Sequence, residues 1–125
     1  MRVLIVETNA DLAEVWARSL ERQGAVVTRA DGEDRAISAI NQDPFDVIVM
    51  NIKLGSGNAL TVSDYAGFRL PNARVIFVTN SSFFSDGSIF QHASNAHACI
   101  PDQTPAEDLA ALVEYHGKHA AELSG

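Results

Sequence analysis

The sequence predicts an α/β protein, a single domain built on a parallel sheet with helices packed against both of its faces. Three observations predict it. Apolar runs too continuous for half-exposed strands alternate with stretches of helical periodicity, as strands buried on both faces require. The alternation repeats five times along 125 residues, and a chain of that length buries a real core as one domain without disulfides or metals. Right-handed crossovers between consecutive β-α units then leave few layouts other than a doubly wound sheet.

Val3-Leu4-Ile5-Val6 is the first strand, and Leu12, Val15, Trp16 and Leu20 share one face of the helix that follows, with Gly24 as its stop. Ala25 to Arg29 reads as the second strand. The second helix turns Ala36, Ile37 and Ile40 inward and ends before Pro44, because proline cannot continue it. Val47 to Met50 is the third strand, and the third helix carries Leu60, Tyr65 and Phe68. Arg74 to Val78, rich in β-branched and aromatic residues, is the fourth strand. A short fourth helix is expected around Ile89 and Phe90, and a brief fifth strand over Ala98 to Ile100. In the last helix Thr104 is the expected N-cap, with Pro105 in the first turn, Glu107 completing a capping box, and Leu109, Leu112 and Val113 facing in. The domain is expected over 1–117, with 118–125 a tail or the start of a linker, and the initial Met is read as a natural start.

A formal charge of −7, with only nine Lys and Arg, repels a phosphate backbone, so direct nucleic-acid binding is not expected. One cysteine, Cys99, permits no intrachain disulfide. No signal peptide opens the chain and no apolar run approaches the roughly 20 residues of a membrane helix, which points away from membranes and to a reducing cytoplasm.

In a doubly wound parallel sheet the site lies outside the carboxyl ends of the strands. Those ends hold Glu7, Thr8 and Asn9 after the first strand, Asn51 to Lys53 after the third, Thr79 and Asn80 after the fourth, and Pro101 and Asp102 after the fifth. Asp46 also borders the third strand, but at about 3.3 Å per residue it lies about 16 Å from Asn51, at the wrong end.

Taken in order, "VLIVETNADLAEVWARSLERQG", "DVIVMNIKLGSGNAL", "ARVIFVTN" and "ACIPDQTPAEDL" resemble the receiver domain of bacterial response regulators, over roughly residues 2 to 115. The resemblance implies a flavodoxin-like (βα)5 sheet of order 2-1-3-4-5. It implies a signalling module rather than an enzyme, one that takes a phosphoryl group from a histidine kinase onto an aspartate after the third strand. In that family Mg²⁺ is held by the same aspartate and by an acidic pair after the first strand. A hydroxyl after the fourth strand and a lysine after the fifth contact the phosphoryl oxygens.

Carried over position by position, Glu7 matches the first acid and Thr79 the hydroxyl. Thr8 stands where the second acid belongs, and Asn51 replaces the phosphoacceptor. Asp102 falls at the lysine if the preceding loop holds one extra residue; Pro101 does so otherwise. Cys99 occupies the place of a switching Tyr or Phe. The five residues Glu7, Thr8, Asn51, Thr79 and Asp102 therefore read as a degenerate phosphoacceptor site.

Elementary chemistry makes these departures severe. The Asn51 amide is neutral and its nitrogen lone pair is delocalised, so it is no nucleophile and no acyl phosphate is expected there. Mg²⁺ gives up water reluctantly and needs carboxylates, of which only Glu7 survives, so Mg²⁺ binding is expected to be lost or very weak and no cofactor is expected. Asp102 in place of a lysine adds repulsion against an incoming phosphate. Asn51 is expected to donate to Glu7 or Asp102 and to accept from Thr79; the alternative is that these side chains simply face solvent.

Plainer readings apply elsewhere. Gly55-Ser56-Gly57 lacks the Gly-Lys-Ser/Thr that a phosphate cradle requires and is expected to be a flexible loop over the old site. His92, His97, His116 and His119 have no metal-site spacing, and the last two are expected to be solvated near a helix end. Cys99 lacks nearby cations that would activate a thiol, and Trp16 reads as core. Phe83 and Phe84 either tuck under the fourth helix or, with Phe90 and Cys99, form a partner face.

The leading functional expectation is a phosphorylation-independent pseudo-receiver that binds proteins, a histidine kinase or another signalling protein. It would also pair with a second copy through the face from the fourth helix to the last, roughly Ser85 to Tyr115. Two alternatives stand beside it: a receiver that takes phosphate at Thr8, Ser56 or Thr79 or binds a small anion, and the amino-terminal module of a longer regulator.

Overall fold

In a computed structural model of the chain the residues described are 1–55, 57–79 and 96–124, the side chains of 96, 97 and 119–124 apart. Along the chain run β1 (Arg2–Val6), α1 (Ala10–Arg22), β2 (Val26–Ala30), α2 (Glu33–Gln42), β3 (Val47–Asn51), α3 (Ala59–Arg69), β4 (Arg74–Thr79), β5 (Ala96–Pro101) and α4 (Ala106–Ser124). The five strands form one sheet of order β2-β1-β3-β4-β5, and every neighbouring pair is parallel. The flavodoxin-like architecture expected from the resemblance is the one observed.

Strand periodicity divides the core in two. Leu4, Val6, Ile48, Met50, Val75 and Phe77 point to the face covered by α2 and α3, while Val3, Ile5, Val47, Val49, Ile76 and Val78 point to the face covered by α1 and α4. Successive residues of a strand alternate between faces, so a run apolar at every position can only be a strand covered on both sides. Full burial of such side chains stabilises the fold by roughly 1.5–3 kcal/mol each. Asn9 starts α1, its side-chain oxygen accepting from the amides of Asp11 at 3.0 Å and Leu12 at 3.2 Å, which satisfies N–H groups that the first turn otherwise leaves orphaned.

Several expectations are corrected by the packing. Val15 is 51% exposed; the inward face of α1 is instead Ala13, Trp16, Ala17 and Leu20. Phe68 is 78% exposed, and α3 buries Ala59, Val62, Ser63 and Ala66, a stripe of mostly small residues at helical spacing. Trp16 is core, as expected. His116 is buried, not solvated: its Nδ1 lies 3.4 Å from Arg74 Nη1, and its ring meets Tyr115 edge-on. At the start of α4 the Thr104 hydroxyl turns back to donate to the Pro101 carbonyl at 2.7 Å, and the Pro105 carbonyl accepts the first helical bond, from Leu109. β4 and β5 extend beyond their expected bounds, to Thr79 and over Ala96–Pro101, and α4 continues across residue 117. The helix expected near Ile89, along with Phe83, Phe84, Phe90, His92, Ser56 and Asn80, lies outside the described residues.

Candidate functional site

The register of the sheet assembles the site. Val6 pairs with Met50 across β1 and β3, so Glu7 and Asn51, each one residue further on, emerge side by side at the carboxyl edge. Asn51 pairs in turn with Val78 of β4, and Thr79 with Pro101 of β5. Strand ends are where the backbone ladder runs out and side chains take over its polar bonding, which is why polar residues follow the apolar runs here.

Glu7 is 5% exposed, and a buried carboxylate must be compensated by donors. Asn51 Nδ2 donates to its Oε1 at 2.8 Å, and the backbone N–H of Asn9 donates to its Oε2 at 3.1 Å. Hydrogen bonds to an ionised acceptor are stronger than neutral ones, so the amide is well placed to hold the charge. The other end of the amide is used locally: Asn51 Oδ1 accepts from the Lys53 backbone N–H at 2.9 Å, an asparagine side chain closing a turn on its own chain two residues on. Half of the expected bridge is thus present. Asn51 bonds Glu7, and its acceptor end goes to Lys53 rather than to Thr79.

Thr8 points away from this pair, toward the β2-α2 and β3-α3 loops. Its hydroxyl donates to the Asp31 carbonyl at 3.3 Å and accepts from the Gly55 N–H at 2.8 Å. Thr79 is 1% exposed at the end of β4. Asp102 just beyond β5 is exposed, and its backbone N–H donates to the Thr79 carbonyl at 2.8 Å. Cys99 is half-buried against the α2-α3 side of the core, and burial pushes its thiol above the ordinary value of 9.0. Asp46 sits at the opposite end of β3, where its carboxylate accepts from the Arg2 N–H at 2.9 Å.

The structure therefore brings Glu7 and Asn51 together, turns the Thr8 hydroxyl to the neighbouring loops, places Thr79 one strand over, and leaves Asp102 at the rim. Among the described residues no three His, Cys, Asp or Glu side chains converge as metal ligands. Asn9 is the residue that reading the strand ends did not assign. Its signal is an Asn immediately before the first helical residues, the N-cap pattern, and the cap orients its N–H toward Glu7. No helix among the described residues is long and apolar enough to cross a membrane.

The chain is similar to known proteins in sequence and in fold. The family model for the response regulator receiver domain matches residues 3–114. The alginate biosynthesis transcriptional regulatory protein AlgB of Pseudomonas putida is 26% identical over 106 residues, 82% of this chain but 24% of that protein. The chain thus spans about a quarter of the length of this curated relative. Among solved structures, a CheY-like response regulator receiver domain protein from Methanospirillum hungatei superposes with a TM-score of 0.87 at 22% identity, covering 99% of this chain and 98% of that one. A response regulator protein from Burkholderia pseudomallei, with a phosphorylated aspartic acid, calcium ion and citrate, superposes with a TM-score of 0.78 at 20% identity, covering 99% of this chain and 72% of that one.

Proposed function

This chain belongs to the response regulator receiver domain family, and we propose that it is a pseudo-receiver, a member that signals by binding protein partners without taking a phosphoryl group. Receiver domains act through partner proteins in two-component signalling; what is particular here is the chemistry at the end of β3. The observation that carries the reading is the Asn51 amide, whose nitrogen is held by Glu7 at 2.8 Å and whose oxygen is held by the Lys53 N–H at 2.9 Å. A phosphorylated aspartic acid forms through a carboxylate oxygen, and Asn51 offers only a neutral, delocalised nitrogen.

The residues present also do not fit Mg²⁺. A small, hard, octahedral cation is bound through one or two carboxylates and phosphate oxygens, and among Glu7, Thr8 and Asn51 the Glu7 carboxylate is alone, with both oxygens already accepting N–H donors. An amide N–H facing Glu7 does what a cation would do there, placing positive charge against the buried carboxylate. Phosphorylation of a hydroxyl instead has little support. Thr79 is buried, and the Thr8 hydroxyl is engaged as both donor and acceptor.

The partner-binding face is assigned along β5 and α4, where Tyr115 is more than half exposed, and a second copy of the chain is one occupant it would accept. The test of the phosphate-independent reading is incubation with acetyl phosphate and Mg²⁺ followed by intact mass. The expected spectrum is unchanged. A hydroxylamine-labile phosphoryl adduct would defeat the proposal, and a hydroxylamine-stable one would favour Thr8, Ser56 or Thr79 as acceptor. A second reading, favoured by the quarter-length match to AlgB, makes the domain the regulatory module of a longer regulator; an output domain encoded in the same gene would establish it.

A further inference from the structure

The Gly55-Ser56-Gly57 segment takes no part in the reading above, and its two described glycines sit where side chains do not fit. A Cβ on Gly55 would lie 2.8 Å from Thr8 Cγ2. On Gly57, whose φ is +90°, a Cβ would lie 2.3 Å from Glu33 Cβ. Both glycines therefore serve a close approach of the β3-α3 loop to the β1-α1 and β2-α2 loops, and at each approach a hydrogen bond is made. Gly55 N–H donates to Thr8 Oγ1 at 2.8 Å, and Asn58 N–H donates to Glu33 Oε1 at 2.7 Å. On either side of Ser56, Gly55 and Asn58 are thus each bonded to a neighbouring loop.

We propose that Thr8 and Glu33 form a latch that fastens the β3-α3 loop across the carboxyl ends of β1 and β2, holding three loops in one conformation. The residue types suit the task. A hydroxyl can donate and accept at once, whereas a carboxylate only accepts; Thr8 uses both capacities, linking Asp31 of one loop to Gly55 of another. Glu33 is the first residue of α2, where the positive end of the helix dipole favours its charge. Asn58 is the N-cap of α3, its side chain accepting from Leu60 N–H at 2.8 Å, so the bond to Glu33 ties the start of α3 to the start of α2. Each bond alone competes with water. Together they share the entropy of closing one loop, so forming either raises the effective concentration for the other.

The latch is independent of whether the site takes phosphate, and its test reads the loop alone. Amide hydrogen exchange of the ¹⁵N-labelled full chain is followed at Gly55 and Asn58 in the wild type and in T8V, T8S, E33A and E33Q. Valine removes the hydroxyl at nearly constant shape, and serine restores it; glutamine keeps an acceptor oxygen that alanine lacks. Exchange at Gly55 in T8V and at Asn58 in E33A is expected to rise about fivefold or more, the factor a single net hydrogen bond commands. Each single variant should also raise exchange at the other amide, while T8S and E33Q stay within about twofold of wild type. Wild-type exchange at free-peptide rates, or rates at Gly55 and Asn58 indifferent to T8V and E33A, would overturn the latch. So would conservative variants as disruptive as the truncating ones.

Discussion

At the scale of the residue, the decisive contact is one amide against one carboxylate. Converting Asn51 to Asp keeps the shape and removes the donor, setting two anionic oxygens at a spacing that is 2.8 Å in the native pair. Like charges at that range cannot both stay ionised without cost. N51D should therefore lose about 1–3 kcal/mol of stability in EDTA, the cost of leaving a buried charged group uncompensated, and should recover it in millimolar Mg²⁺. Wild type should melt at the same temperature with and without the ion; a wild-type melting temperature that climbs with Mg²⁺ would show that Asn51 has not displaced the cation. Cys99 carries a second prediction. Its thiol is pushed up by burial, so alkylation by iodoacetamide should be slower than for a free thiol at the same pH. Because the folded state holds the proton more tightly, the stability linked to this group is full below the ordinary value of 9.0 and is lost as pH rises through the higher folded value. The difference in urea midpoint between wild type and C99A should therefore stay constant below pH 9, and wild type should lose stability relative to C99A as pH rises above it. The sequence offers Glu7 or Asp102 as the partner of the Asn51 amide, and the adjoining ends of β1 and β3 select Glu7. The Lys53 bond was less legible in the sequence: an asparagine oxygen is satisfied most cheaply by an N–H of its own chain, with no loop to close.

At the scale of the element, α3 shows that the buried face of a helix can be made mostly of small residues. Val62 is fully buried, whereas Phe68, one of the largest side chains on the helix, is among the most exposed. Val62→Ala should cost roughly 1–3 kcal/mol in urea unfolding, a lost methyl pair plus a cavity, while Phe68→Ala should stay within about 0.5 kcal/mol of wild type. A larger loss at Phe68 than at Val62 would mean that the helix is rotated about its axis. The same pair explains where sequence reading of the elements falls short. Strands were located from unbroken apolar runs, since only burial on both faces permits Val47 to Met50 to be apolar throughout. Large apolar residues at helical spacing turn Val15 and Phe68 inward in the sequence reading, yet both are exposed. The buried stripe of α3 is Ala59, Val62, Ser63 and Ala66, and a period-based reading that favours size passes over alanine and serine.

At the scale of the whole molecule, the question is what pins the last helix to the sheet near its far edge. Leu109 and Val113, with Leu112 partly buried beside them, pack α4 against the core shared with α1 as their spacing predicts, and Ala110 joins them. His116 one turn on was expected in solvent, because a polar residue near the end of a chain ordinarily is. It is buried instead because β4 opens on Arg74, whose guanidinium Nη1 lies 3.4 Å from His116 Nδ1, and because Tyr115 stacks edge-on against the ring. Nothing in the linear sequence joins positions 74 and 116; only the crossover that lays α4 over β4 does. Among the described residues Arg74 Nε is buried without a hydrogen-bond partner, and loss of the imidazole would leave Nη1 without its nearby ring nitrogen as well. His116→Ala should lower stability by about 1–3 kcal/mol, through an unsatisfied buried donor and a ring-sized void. Arg74→Met, which removes the buried Nε–H at similar volume, should be close to neutral or stabilising, as is common when a partly buried charged group gives way to an apolar one. Urea unfolding of H116A, R74M and the double variant makes the comparison, and a double-mutant coupling near zero would mean that Arg74 and His116 are merely neighbours, with α4 held to the sheet by its apolar stripe alone.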